Sequence, residues 1–363
     1  MSTSIAPQIS EDLTGFCRKG YDMNPKPLRI AVMGAGWFAS RRHLPDLMEL
    51  PDVQVAAACR RDQDALARFC DHFNIPGRFS DYGQMLDATR PDAVVIASPH
   101  ALHFEQTAEC LRRGVHVLVE KPLALKAVDA EQLAALAANR GLTLAVALNP
   151  PYWRHCHLLR DWIAEGRIGR LEAVEIVWLN CAAGLFGKEP LPERLPGIVR
   201  PTGFRSDPEL GGGGHLMDGG QHNISELLWV TGATPSAVSA AMDQLPVDLR
   251  ASVSISLKNG AIASVTGLAD SRLGTRRAHS AYYGSEGTLR LSVAPFRVTL
   301  ERQGADNVVV DEHEMPVVLS PAADLVRCIR SGAAPLGTAA HAIETTRVIE
   351  MAYQSAARQT GSA

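Results

Sequence analysis

The segment Leu28-Arg-Ile-Ala-Val-Met-Gly34-Ala-Gly36-Trp37-Phe38-Ala39 is an apolar run that ends in a glycine turn, and the chemistry of such a turn is the binding of a dinucleotide. Gly34 permits a tight turn out of a strand. Gly36 leaves room for a pyrophosphate to approach the backbone, and Ala39 lets the following helix pack closely on the strand. The helix N-terminus then offers unpaired N–H groups and a positive dipole end to the phosphates. Trp37 and Phe38 lie inside the turn and belong to the expected cofactor site. A second apolar strand, Val53 to Cys59, follows the helix, which favours this reading over an ordinary strand-to-helix turn.

In the usual dinucleotide site an acidic residue at the end of the second strand holds the ribose 2′-OH. Here that place is taken by Arg60, with Arg61 beside it and Asp62 next. A guanidinium there can clamp a 2′-phosphate with two N–H groups. NADP(H) is therefore favoured, with NAD(H) the alternative. The competing reading is a solvated arginine pair at the strand end, with Asp62 capping the next helix.

Such a site needs a parallel sheet to position it, and the first 150 residues supply the pattern. Strands are expected at 28–33, 53–59, 93–98, 115–119 and 143–148, alternating with helices at 38–49, 62–73, 82–88, 102–113 and 128–140. Pro150-Pro151 interrupts the alternation and marks a boundary. A helix is expected over 154–165, then a strand from Glu172 to Asn180, a Pro- and Gly-rich stretch over 181–214, and a helix near 218–230. Six strand-like runs follow without intervening helices, beginning at Ala237, Ala251, Ala261, Gly287, Arg297 and Asn307, which implies an antiparallel sheet. Helices at 321–331 and 339–357 close the chain. The expected fold class is α/β: a dinucleotide-binding domain over 28–150, then a substrate-binding and oligomerisation domain over 151–363, whose last helices are free to pack back on the first.

Length and composition agree with a globular chain of two domains. The chain has 363 residues, 46% of them apolar, and a net charge of −3, which gives no bulk attraction to nucleic acid. The seven cysteines are odd in number and scattered, with no Cys-x-x-Cys pair, as in a protein of the reducing cytoplasm. No run of 18 apolar residues suggests a membrane span. Residues 1–27 are polar and mixed and read as a flexible arm. Pairs such as His155-x-His157 are not at helical metal spacing, so no metal is expected.

With the glycine turn, the segment Gly114-Val-His-Val-Leu-Val-Glu120-Lys121-Pro122, and the segment Gly212-Gly-Gly-His-Leu-Met-Asp218-Gly-Gly-Gln-His222 in view, the chain resembles the Gfo/Idh/MocA oxidoreductases, the glucose–fructose oxidoreductase and inositol dehydrogenase family. The resemblance covers nearly everything after residue 27. It implies a Rossmann domain followed by an α/β domain with an open, mostly antiparallel sheet. It implies that Lys121, Asp218 and His222 are catalytic, and that Ser98, Pro99, His103, Glu120 and Arg205 lie at the cofactor. Phe204 stands where the family's Trp-Arg element has tryptophan. Ser225 stands where many members carry a second aspartate, and Asn149-Pro-Pro-Tyr152-Trp153-Arg154 departs from the usual loop. Ser225, Tyr152 and Trp153 are the expected substrate contacts.

The chemistry suits those residues. Hydride loss from a secondary alcohol leaves a hydroxyl proton that a base within hydrogen-bond reach must take. His222 has the appropriate ordinary pKa, about 6.5. Four residues apart on a helix, Asp218 and His222 share a face. Lys121 supplies charge to stabilise an alkoxide, or relays the proton if burial lowers its pKa. Either Lys121 or His222 is the acceptor. The resemblance implies a sugar or cyclitol dehydrogenase or keto-sugar reductase. Two alternatives are a redox-neutral enzyme with tightly held nicotinamide, acting through a transient keto sugar, and a non-catalytic dinucleotide sensor, which the intact set of polar residues disfavours. An uncovered apolar face on the second sheet, typified by Ala251 to Leu257, implies a homodimer or homotetramer.

Overall fold

The computed structural model describes residues 26–273 and 277–361. The expected N-terminal arm lies outside these residues but for its last two.

The first domain begins with β1 (Leu28–Met33), which is buried along almost its whole length. Such strands read as continuous apolar runs because helices cover both faces of a parallel sheet. The chain continues through a π-helical turn, Ala39–His43, into α1 (Leu44–Met48), with Pro45 in its first turn. Then come β2 (Val53–Cys59), α2 (Gln63–Phe73), β3 (Gly77–Phe79), α3 (Tyr82–Thr89), β4 (Ala93–Ile96), α4 (His103–Arg112), β5 (His116–Glu120), α5 (Ala127–Arg140) and β6 (Leu144–Ala147). Asp62 caps α2 by accepting from the Ala65 N–H at 3.0 Å. The six strands are parallel in the order β3-β2-β1-β4-β5-β6. The order reverses direction between β1 and β4. That is the switch point at whose carboxyl edge such sheets bind ligands, and the glycine turn sits there. The short β3 escapes sequence reading because three residues carry no period.

The second domain runs α6 (Arg154–Ala164), β7 (Leu171–Leu179), α7 (Pro208–Gly211), α8 (His215–Asp218), α9 (Gly220–Thr231) and β8 (Pro235–Met242). It continues with β9 (Arg250–Leu257), β10 (Ile262–Leu268), β11 (Arg277–Gly284), β12 (Gly287–Ser292), β13 (Arg297–Arg302) and β14 (Val308–Asp311). These strands form one sheet, β14-β13-β12-β11-β7-β10-β9-β8, antiparallel except at β7–β10. The open, mostly antiparallel sheet is as expected, with β11 a strand the sequence reading lacked.

The face expected to be apolar differs. In β9 the apolar residues Ala251, Val253, Ile255 and Leu257 all turn inward, while Ser252, Ser254 and Ser256 face outward. A strand's period of two sorts them this way. Val253, Ile255 and Leu257 enter one core with Ile224 and Leu227 of α9. β9 therefore presents serine on its outer side, while the neighbouring β10 turns Ile262 outward.

The last two helices tie the domains together. α10 (Pro321–Ser331) carries Ala322, Leu325 and Val326 into the first domain's core beside Leu44 and Leu47. Each buried leucine or valine of this kind is worth about 1.5–3 kcal/mol. α11 (Ala339–Thr360) places Ala342 and Ile343 in a core against the first sheet and Val348, Ile349 and Ala352 in the core of the second. Among the described residues no helix is long and apolar enough to cross a membrane.

Candidate active site

The glycine turn opens onto a cleft of about 1100 Å³ between the two sheets. Gly34 holds φ +81°, and a Cβ there would lie 2.5 Å from the backbone of Ala97 and Ser98, so no other residue lets β1 turn out beside the loop after β4. Gly36, Trp37, Phe38, Arg60, Arg61, Ser98, Pro99, Glu120 and Lys121 all line this cleft, as does the ring of His103, whereas Ala39 is buried behind it in the first core.

Arg60 lies across the turn, its Nη1 3.3 Å from the Ala35 carbonyl and its Nη2 3.7 Å from Asp62. Its buried Nε has no hydrogen-bond partner among the described residues. An orphaned guanidinium donor beside a glycine cradle fits an incoming phosphate or nucleotide edge, so the residues present accommodate a dinucleotide. Trp37 donates from Nε1 to the Pro196 carbonyl at 2.6 Å, and Ser40 Oγ accepts from the Ile198 N–H at 3.1 Å. Part of the Pro- and Gly-rich stretch therefore crosses over the turn.

Ser98 donates from Oγ to Gln106 Oε1 at 2.6 Å. The His103 ring spans the Ser98 and Pro122 carbonyls at 2.9 and 2.7 Å, joining the loops after β4 and β5. Burial pushes His103 down to about 4. Glu120 ends β5 and accepts from His43 Nε2 at 2.7 Å. Burial alone would raise its pKa, but the His43 hydrogen bond and the charges of His43, Lys121 and His222 outweigh it and hold the carboxyl low.

The catalytic candidates meet at Asp218. Lys121 Nζ donates to Asp218 Oδ1 at 2.5 Å and to its backbone carbonyl at 2.9 Å. Arg205 Nε donates to Oδ2 at 2.8 Å. Burial opposes the charged carboxylate, but Arg205, Lys121 and His100 hold it well below the ordinary range. The Arg205 guanidinium lies 4.5 Å over the Phe204 ring, so phenylalanine serves as the arginine's platform where tryptophan was expected. His222 lines the same cleft one helical turn on, its Nε2 3.5 Å from Asn149 Nδ2 and its ring 5.7 Å from Trp153.

The glycine segment that carries Asp218 is clamped from behind. A Cβ on Gly214 would lie 2.0 Å from the Asp248 carbonyl oxygen. Asp248 accepts from the Gly214 and Leu216 N–H groups at 3.2 and 2.9 Å and from the Tyr353 hydroxyl of α11. Gly214 is thus a place of close backbone approach, and the clamp fixes where Asp218 points.

Two expected substrate contacts are corrected. Tyr152 is buried away from the cleft, its hydroxyl donating to Asp324 Oδ2 at 3.0 Å and accepting from the Gly337 N–H at 3.1 Å. Ser225 is fully buried, with Oγ 2.6 Å from His341 Nε2 of α11. Both hydroxyls are consumed by packing between elements, so neither reaches a substrate. Trp153 behaves otherwise. It stacks on Trp178 at 5.7 Å and 5°, borders His222, and lines a second cavity of about 890 Å³. Sequence reasoning passed over His43 and His100. Neither carries a spacing signal, because their partners lie 77 and more residues away.

A Rossmann sheet whose carboxyl edge carries an ion-paired lysine, facing an aspartate and a histidine on helices of a second domain built on a mostly antiparallel sheet, defines a nicotinamide-dependent oxidoreductase. The chain belongs to the Gfo/Idh/MocA oxidoreductases: residues 28–148 match the family described as oxidoreductase family, NAD-binding Rossmann fold, and residues 156–290 match the GFO/IDH/MocA C-terminal domain. It is 32% identical over 330 residues to the dTDP-3,4-didehydro-2,6-dideoxy-α-D-glucose 3-reductase of Saccharopolyspora spinosa, covering 85% of this chain and 89% of that one. It is 28% identical over 210 residues to the D-glucoside 3-dehydrogenase of Escherichia coli K12, covering 58% and 56%. Its fold matches levoglucosan dehydrogenase, solved with NADH and levoglucosan, at TM-score 0.79 and 19% identity over 92% of this chain and 98% of that one.

Proposed function

We propose that this enzyme moves hydride between nicotinamide and a secondary carbinol of a sugar or cyclitol, or the corresponding keto sugar, with NADP(H) as the preferred cofactor. The observation that carries the reading is the convergence of Lys121 and Arg205 on Asp218, with His222 on the same wall of the dinucleotide cleft. The two curated relatives bear names that place their chemistry at a sugar's third carbon, which makes 3-hydroxy and 3-keto hexoses the first substrates to try.

Bound in the cleft, the nicotinamide would supply a hydride acceptor or donor. Gly34 and Gly36 would admit its pyrophosphate, Arg60 and Arg61 a 2′-phosphate, and Glu120 would face the nicotinamide ribose. Lys121 places a cation beside the carbinol oxygen, where negative charge develops. Asp218 fixes the ammonium, and Arg205 fixes Asp218. His222 stands within the same wall as the alternative proton acceptor. The test is titration of the protein with NADPH and NADH, followed by turnover assays on 3-keto and 3-hydroxy hexoses. NADPH preference with sugar turnover supports the reading, and tight NADPH binding without turnover of any secondary alcohol refutes it.

A second reading has its own support. The stretch from Pro196 to Ile198 lies over the glycine turn, held by Trp37 and Ser40, as a cofactor that stays bound through a redox-neutral cycle would require. Nicotinamide that survives purification would favour it. The exposed sheet edges leave a homodimer or homotetramer as our expectation for assembly, to be read by sedimentation.

A further inference from the structure

His100 begins the short turn after β4, on the opposite side of the cleft from the second sheet, and its ring is almost fully buried. Nδ1 lies 2.9 Å from the Gly211 carbonyl. A carbonyl oxygen only accepts, so Nδ1 carries the proton and the neutral ring's basic nitrogen is Nε2. That nitrogen lies 3.4 Å from Asp218 Oδ1, the same oxygen that takes the Lys121 ammonium. Phe204 meets the ring edge-on at 5.0 Å, and His103 packs tilted against it at 5.9 Å. Asp218 faces it from α8, Lys121 from the loop after β5, Arg205 from the 203–206 turn and His103 from α4.

We propose that His100 is a proton-relay and positioning residue, taking up at Nε2 the proton that Lys121 passes through Asp218 Oδ1 when a substrate hydroxyl is oxidised. This inference rests on the redox reading above. The proton inventory closes. An Nζ–H bond of the ammonium breaks as its proton moves to Oδ1, and from Oδ1 to Nε2. The carbinol O–H bond then breaks as its proton forms a new Nζ–H bond on the neutral amine left behind. Lys121 and Asp218 end as they began, and His100 ends as an imidazolium hydrogen-bonded to Asp218, to be discharged to solvent. The two electrons leave as hydride to the oxidised nicotinamide. In keto-sugar reduction the same path runs backward. Burial lowers the imidazole below its ordinary value, against the opposing pull of Asp218, so the ring rests neutral and ready to accept near pH 7.

Two measurements on the full chain loaded with NADP⁺ test this. The first is ¹⁵N NMR of protein labelled at histidine, with the His100 signal assigned by its loss in His100→Asn. The expected result is an Nδ1–H tautomer whose proton affinity falls several-fold in Asp218→Asn. An Nε2–H tautomer, or a titration indifferent to Asp218→Asn, overturns the proposal without reference to any substrate. The second is the pH profile of kcat in His100→Asn, which keeps a donor for the Gly211 carbonyl but has no nitrogen that titrates. The expected result is kcat for oxidation down about 10- to 100-fold, with the acid limb of the profile removed and KM and NADPH affinity unchanged. A profile superimposable on the wild type overturns the relay, and unchanged NADPH affinity excludes misfolding as the cause of a loss. Failure of the wild type to turn over any secondary alcohol would instead refute the redox reading.

Discussion

Lys121 and Asp218 stand 97 residues apart in sequence, one just after β5 of the first sheet and the other at the end of α8 in the second domain, yet Nζ and Oδ1 meet at 2.5 Å inside the cleft. The pair is almost fully buried, and such a pair survives only where further hydrogen bonds satisfy it. Arg205 on Oδ2 and the Asp218 carbonyl on Nζ supply them. The lysine is thereby held rigid at the end of β5, where a reacting oxygen can use its charge without reorganisation.

Removing either member should separate chemistry from cofactor binding. Lys121→Met is expected to lower kcat about 100- to 1000-fold, the usual loss of one preorganised group at a developing oxyanion. NADPH affinity should stay within about threefold, because the groups proposed to face the phosphates, Gly34, Gly36 and Arg60, are untouched. Asp218→Asn should cost a similar factor by freeing Lys121 and Arg205 at once. Stopped-flow kinetics beside fluorescence titration reads both, and a Lys121→Met protein with kcat near wild type would remove the lysine from the mechanism.

On the proposed reading, Arg60 selects between the two nicotinamides. Its side chain lies along the turn, and its Nε is unpaired among the described residues, so a 2′-phosphate would complete it. Arg60→Asp introduces the acidic group that usually holds a 2′-OH and repels a phosphate. NADPH should weaken about 100-fold and NADH should hold or tighten, since charge-assisted hydrogen bonds of this kind are worth about 1.5–3 kcal/mol. Parallel titrations decide it, and equal NADPH affinity in wild type and variant would leave Arg60 a mere strand-end residue.

Much of this was legible in the sequence because it is local. A strand with five apolar residues in six, a glycine that must take positive φ, and an Asp-x-x-x-His in a helical stretch all announce themselves within a dozen residues. The second domain's strands were legible by alternation, except β11, where His279 and Ser280 blur the period. The side chains that tune the site were not legible. His43 reaches Glu120, and His100 reaches Asp218, only once the sheet has brought distant turns together. Tyr152 and Ser225 misled for the converse reason: adjacency to a site in sequence says nothing about which neighbour takes a hydroxyl, and α10 and α11 took both.

Trp153 is the expected substrate contact that lies against a candidate catalytic side chain. Its ring is flanked by Trp178 and His222 and lines the second cavity. A flat apolar face there would pack against the carbon face of a sugar ring in ground and transition states alike. Trp153→Ala should therefore raise KM about tenfold with little change in kcat, the signature of lost uniform binding. A fall in kcat at constant KM would place the ring in the chemical step instead.

The pH dependence of stability has a specific source in Glu226. The carboxyl is fully buried on α9, accepts from the Tyr282 hydroxyl at 3.0 Å, and is pushed up by burial to about 7 against the opposing hydrogen bonds of Ser280 and Tyr282. Asp248 behaves alike, raised by burial to about 6. The folded protein keeps a proton that the unfolded chain releases near the ordinary carboxyl value. The stabilisation is therefore complete below about pH 4.5 and is lost as pH rises toward 7, at up to about 1.4 kcal/mol per pH unit for each group. Buried His103, His155 and His215, lowered by burial to about 4, 3 and 4, act with the opposite sign. They cost stability as pH falls below about 6.5, because only the unfolded chain takes up their protons. The wild-type curve sums the two trends, so the difference between wild type and Glu226→Gln isolates the carboxyl. Urea unfolding at pH 5 and pH 8 should show the variant gaining on wild type as pH rises, by about 2–3 kcal/mol over that span. A difference that does not change with pH would mean that Glu226 is ionised in the folded core.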